Sequence, residues 1–193
     1  MWKPFAVLSV FVCCAFCASA AGAASFEPRD FDALVAEADQ VVIGTAVATS
    51  ARRTGPREIV TDYRFNDLEI VKGTVSTTSL KLTMLGGTIG TDSLTVAGAP
   101  TFQRGVRYLV FVSGNGSVMF PLVGGHQGVF QIRKDAVSGS SRVHDYAGRA
   151  VTRLPGRTAR ADADHPYTDA GESISEAAFV DAIRAGVVGR AAQ

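Results

Sequence analysis

The chain has 193 residues, with 19 Lys and Arg against 18 Asp and Glu, which is room for one domain with a sizeable core. That charge balance supplies no basic stripe for a phosphate backbone and argues against nucleic acid as a partner. The three cysteines, Cys13, Cys14 and Cys17, all lie within residues 1–24, so the rest of the chain can form no disulfide, no cysteine-ligated zinc site and no cysteine nucleophile.

The N-terminus reads as a secretory signal. Lys3 gives a short positive region, residues 5–16 an apolar run, and Ala18-Ser19-Ala20 and Ala21-Gly22-Ala23 the small residues that signal peptidase reads. The apolar run is shorter than the roughly 18 residues that cross a bilayer. Residues 1–24 are therefore expected to be removed, with cleavage between Ala20 and Ser25. That leaves a secreted or periplasmic chain with no membrane span. Val12, Cys13 and Phe16, which precede the cysteines, are not the small residues that precede a lipid-modified cysteine.

Downstream, Asp30 is placed to cap a short helix with Phe31, Leu34, Val35 and Ala38 on one face. Residues 40–49 read as a buried strand in which Gly44 marks a bulge or a close backbone approach. Residues 50–56 read as a polar loop that gathers Arg52 and Arg53 near Arg57, either an anion-binding patch or a solvated tip. Residues 58–71 form a long strand with Ile59, Thr61, Tyr63 and Phe65 on one face. Its apolar set changes face near Asn66-Asp67, the mark of a bulge or bend. Residues 79–85 are a strand with Leu80, Leu82 and Met84 aligned. Residues 86–90 are a glycine-rich turn; the Lys-Ser/Thr ending and following helix of a phosphate-binding loop are missing. A short strand at 93–97 and a turn at 98–100 follow.

A meander comes next. Residues 106–112, 118–123 and 128–133 have strand composition, and Asn115-Gly116 suits a tight hairpin turn between the first two. Residues 134–172 are polar, with room for a hairpin at 142–154 turning at Tyr146-Ala147-Gly148, and a composition of poor order over 155–172. Ser173-Ile174-Ser175-Glu176 fits a capping box, with Ser173 as cap of an amphipathic helix over 175–187. Ile174, Phe179, Ile183 and Val187 would form its packed face.

With no alternation of strands and helices, a parallel α/β fold is disfavoured. The pattern predicts a mainly β chain: a small antiparallel OB-like barrel over 25–133 with a short N-terminal helix. The polar extension 134–172 and the C-terminal amphipathic helix and tail, 173–193, complete the chain. Val42, Phe65, Leu82, Leu109, Phe111 and Phe130 are the expected core.

Three segments carry a family resemblance. They are Ala38-Asp39-Gln40-Val41-Val42-Ile43, the strand from Tyr63 that ends in Lys72-Gly73, and Gly105-Val106-Arg107-Tyr108-Leu109-Val110-Phe111-Val112. In this order they resemble the netrin-like module, the OB-type barrel of tissue inhibitors of metalloproteinases, and similar secreted bacterial domains. The resemblance covers 31–133 and implies a barrel in an extracytoplasmic setting. In those inhibitors an N-terminal cysteine chelates the enzyme's zinc and disulfides staple the module. Beyond residue 24 this chain has no cysteine, so the inhibitory residues have no counterpart.

Catalytic patterns are absent. Ser93, Ser113 and Ser117 are nucleophiles by type only, without a Gly-x-Ser-x-Gly elbow. Asp162, Asp164 and His165 are too few ligands for a calcium site. His126 and Gln127 sit between two strand segments, in Gly124-Gly125-His126-Gln127-Gly128. They read as binding residues at a barrel mouth or as loop residues bonded to backbone. The expectation is a non-enzymatic exported binding module with no catalytic residues, metal or cofactor. Its candidate ligand contacts are His126, Gln127, Arg52 and Arg53, and its partner is an unidentified protein or other extracytoplasmic ligand. The alternatives are a secreted hydrolase, which needs His126 or His144 within about 3 Å of a serine or carboxylate, and an envelope assembly factor, which needs a large exposed apolar patch.

Overall fold

A computed structural model of the chain describes residues 29–152 and 173–191. The expected signal segment, the end of the 142–154 hairpin and the 155–172 stretch with its Asp162, Asp164 and His165 lie outside the described residues.

Helix α1, Phe31–Glu37, starts as its sequence requires: the Asp30 carboxylate accepts from the Ala33 amide at 2.6 Å. Eight strands follow: β1 (Gln40–Gly55), β2 (Glu58–Lys72), β3 (Leu80–Leu85), β4 (Gly87–Ile89), β5 (Asp92–Leu94), β6 (Arg107–Val112), β7 (Val129–Lys134) and β8 (Ser141–Asp145). A short 3-10 helix, Gly125–Gly128, precedes β7, and α2, Glu176–Ala191, ends the described chain. The strands pair antiparallel in the order β3-β2-β1-β6-β7-β8, with β4 and β5 as a separate ribbon. The protein is mainly β with two helices.

The sheet is strongly coiled. Leu82 of β3 and Val129 of β7 belong to one buried cluster with Val42, Phe65, Tyr108 and Phe102, although β3 and β7 are four ladder steps apart. A flat sheet would separate them by roughly 19 Å at the usual strand spacing. The concave face of this barrel-like sheet is therefore one core. The convex face carries the other, where Val41, Ile43, Leu109, Phe111, Phe130 and Val143 pack under α1 and α2. Phe179 of α2 centres it, its ring 5.2 Å from Phe31 and 4.9 Å from Phe130. All six core residues expected from the sequence are buried.

Two sequence signals prove to mark one distortion. Pairing of β1 with β2 passes from Ile43↔Glu69 to Thr45↔Asn66, so Gly44 faces two residues, Asp67 and Leu68. Asp67 has φ of 53°. A Cβ on Gly44 would lie 2.8 Å from Leu68 Cδ2 and 3.2 Å from the Asn66 carbonyl oxygen. This bulge turns the faces of β2 over and adds to the twist.

Both ends of the ladder are edges. At β8, the edge is covered: the Val143 amide donates to Ile174 O and the Val151 amide to Val143 O, each at 3.0 Å. Bridges Arg142↔Ser175 and His144↔Ala150 flank those bonds. Because β8 already occupies the outer side of β7, β3 cannot close the ladder there. It meets the connection between β6 and β7 instead.

Several local expectations are corrected. Residues 50–56 are not a loop: β1 runs to Gly55 against β2, with Ser50↔Asp62 and Arg52↔Val60, and only Pro56 and Arg57 remain between the strands. Ladder bonds need no apolar side chains, so this solvent-facing half carried no strand alternation. Residues 118–123 form no continuous strand: Leu122 meets Val112 in an isolated bridge, flanked by bonds from the Ser113 amide to Pro121 O and from the Val123 amide to Phe111 O, and Val118 bridges only Asn115. Gly114 and Gly116 turn through φ of 64° and 89°, and Pro121 has no amide to donate. Residues 87–89 are the strand β4 rather than a turn. The Ser173 hydroxyl donates to the Val143 carbonyl; the cap of α2 is Ser175, whose hydroxyl accepts from the Ala178 amide at 3.2 Å.

Candidate functional site

The helices cover only part of the convex face. Beyond the bulge, three strands present mostly polar side chains there in register. Ala48, Ser50 and Arg52 of β1 stand opposite Arg64, Asp62 and Val60 of β2, which stand opposite Lys81, Thr83 and Leu85 of β3. Their neighbours in sequence, Thr61, Tyr63 and Phe65, face the concave core or its rim.

Asp62 is the centre of this patch. It accepts from the Thr83 hydroxyl at 2.6 Å and from Arg52 Nε at 3.1 Å. Partial burial acts to raise the Asp62 carboxyl, but the Thr83 and Arg52 hydrogen bonds outweigh it. Together with the charges of Lys81 and Arg52, they hold the carboxyl below the usual carboxylate range. Arg64 and Lys81 stand directly opposite one another and are exposed. Neither side chain makes an ion pair or a hydrogen bond among the described residues. Like charges face to face across a ladder repel.

The outer edge of β3 borders this patch. The Leu85 amide donates to Met119 O at 3.0 Å, and Asn115 Nδ2 donates to Lys81 O at 2.9 Å. Between these two anchors lies a groove of about 480 Å³ between β3, the end of β1 and residues 115–119. Val118 is 49% exposed and Met119 57%. In residues 118–123, therefore, strand-like side chains are in part left facing water.

Arg52 and Arg53 do not form one patch. They point to opposite faces of β1: Arg52 to Asp62, and Arg53 to Asp92 of β5 at 2.5 Å. Beside Arg53, a smaller cleft of about 200 Å³ lies between β2, β3 and the β4–β5 ribbon. Several of the hydroxyls at this cleft are already engaged. Thr61 donates to Gly86 O at 2.7 Å, Thr88 and Ser93 bond at 3.1 Å, and Tyr146, across from Thr101, accepts the Thr101 amide at 3.0 Å.

His126 lies exposed in the 3-10 helix, its ring 6.2 Å from that of Tyr146. Gln127 Oε1 accepts from the Arg29 amide at 2.8 Å, tying the segment before α1 to this connection. The four candidate residues thus occupy three separate settings. His144, on β8 opposite Gln131, makes no hydrogen bond to a serine or carboxylate among the described residues. Ser113 is engaged elsewhere, its hydroxyl on Asp39 at 3.1 Å. Among the described residues no group of three or more His, Cys, Asp and Glu is placed to hold a metal ion. No described helix is long and apolar enough to cross a membrane.

Sequence reasoning missed Arg64, Lys81, Asn115 and Met119. Only the register of β2 against β3 makes neighbours of the first two, and only the apolar 118–120 run hinted at the others. No family model, no curated protein and no solved structure matches this chain.

Proposed function

We propose that the chain is an exported, non-enzymatic binding module, and that the convex face of β1–β3 with its bordering groove is the recognition surface. The observation that carries this reading is the pair Arg64 and Lys81, two exposed cations held opposite one another, neither in an ion pair or a side-chain hydrogen bond among the described residues. Such an arrangement costs stability by itself and is relieved by an external negative group. The position supports it by analogy: OB-type barrels take ligands on the face of their second and third strands between flanking loops. Here that face lies between the β1–β2 hairpin and the connection from β6 to β7. The expected signal at residues 1–24 puts the partner outside the cytoplasm.

Site-directed photocrosslinking tests the surface. A photoreactive side chain at Val118 in the groove should give a defined adduct in the cells that make the protein. The same group at Val137, 97% exposed between β7 and β8, should give none. Adducts that are absent from Val118, or equal at both positions, overturn the reading. N-terminal sequencing of the exported protein should begin between Ala21 and Ser25, and an intact Met1 would sink the export half.

A further inference from the structure

The outer edge of β3 is half-used. In an antiparallel ladder the residues whose amides face away from one neighbour alternate. Leu85 donates outward, to Met119. By the same alternation Thr83 and Lys81 also direct their backbone groups outward. Lys81 O is taken by Asn115, but the Lys81 amide and both backbone groups of Thr83 have no partner among the described residues. These groups border the groove. Exposed edge groups of this kind accept an added strand.

We infer that the groove receives an extended, acidic–apolar segment of a partner protein, which adds as a short strand to the outer edge of β3. This rests on the recognition surface proposed above and names what it recognises. Three features choose the occupant. The unpaired backbone groups of Thr83 call for extended backbone. Arg64 and Lys81, which form no ion pair among the described residues, call for a carboxylate on the convex side. The exposed Val118 and Met119 offer an apolar wall to an adjoining side chain. A second copy of this chain is disfavoured, because edge-to-edge pairing through β3 would bring two sets of Arg64 and Lys81 together. Asp62 does not repel the segment strongly, since Thr83 and Arg52 already hold its charge.

The test uses the exported chain and a fluorescent octapeptide of alternating valine and aspartate, read by anisotropy and by amide hydrogen exchange. Saturable binding is expected, with new protection at the Thr83 and Lys81 amides. Lys81→Glu and Arg64→Glu, both at exposed positions, should each weaken binding roughly tenfold or more, since each reverses a partly solvated ion pair. Methylating the peptide amides on one edge should abolish binding at unchanged charge. A valine–lysine peptide should not bind. Absence of saturable binding by the valine–aspartate peptide overturns the inference. So does equal binding of its N-methylated form, which marks a plain anion patch, and so does dimerisation in sedimentation that Lys81→Glu alters. Crosslinking at Val118 separates the two levels: adducts without peptide binding remove the acidic strand and leave the surface, whereas loss of both removes both.

Discussion

The Lys72 ammonium, at the end of β2, donates to the Ala38 carbonyl at 2.6 Å and equally to that of Val35. Helix α1 has no basic residue in its own last turn, so a distant strand supplies the cation that its negative end favours. Lys72→Met leaves those carbonyls without this donor. It should lower the unfolding free energy by about 1–2 kcal/mol, read as a lower urea midpoint at unchanged slope.

Phe111 joins the two halves of the convex core. Its ring stands edge-on to Phe31 at 6.4 Å and to Phe130 at 6.0 Å. Phe111→Ala should cost about 3–5 kcal/mol, a large part of the stability of a domain held by its core alone. Val137→Ala, on a nearly fully exposed side chain, should stay within about 0.5 kcal/mol. Thermal melts of the two variants, compared with the parent, check the contrast.

Gly44 leaves no room for a larger residue at the bulge. Gly44→Val would press on Leu68, Phe65 and the Asn66 carbonyl and should destabilise by about 1–3 kcal/mol. The exposed Gly90, where nothing lies within 4 Å of an added Cβ, is a poor control because its φ of 59° is itself unfavourable to side chains. Gly189, with open space and no such angle, is the better one. Gly189→Ala should be neutral or slightly stabilising in the same denaturation series.

His144 makes stability depend on pH. Burial pushes its pKa below the ordinary 6.5, and the Arg133 guanidinium pushes the same way; the Arg142 backbone and Asp145 oppose them with less effect. The unfolded chain therefore binds this proton more tightly than the folded one. The stabilisation is full above about pH 6.5 and is lost as pH falls through the lower folded value. Urea midpoints measured from pH 7.5 down to 5 should fall for the parent and fall less for His144→Gln.

How much of this was legible depended on how local the signal was. Asp30 caps α1 by a bond to a residue three positions away, so the sequence carries the whole relationship. The bulge was legible twice, from Gly44 and from the face change at Asn66-Asp67, since each strand must accommodate it on its own. Val118 to Phe120 misled because β-branched and aromatic side chains describe a preference, while Gly114, Gly116 and Pro121 deny the segment a ladder. Arg52 and Arg53 were legible as a basic pair, but not as residues on opposite faces with separate carboxylates. The pairing of Arg64 with Lys81 was out of reach, because it follows from a register set by the partner strand and by the bulge.

The covered outer side of β8 limits what the open side of β3 can do. Fibrillar growth requires each unit to be joined on two sides, one receiving and one offering. In the six-stranded sheet, Ile174 and Val151 already occupy the β8 side. A copy of this chain joined at a β3 edge therefore finds no open β8 edge on which the next copy could continue the sheet. Under the proposed uptake of one extended segment, the molecule would act as a terminator for its own kind: one border receives and the other has nothing to offer.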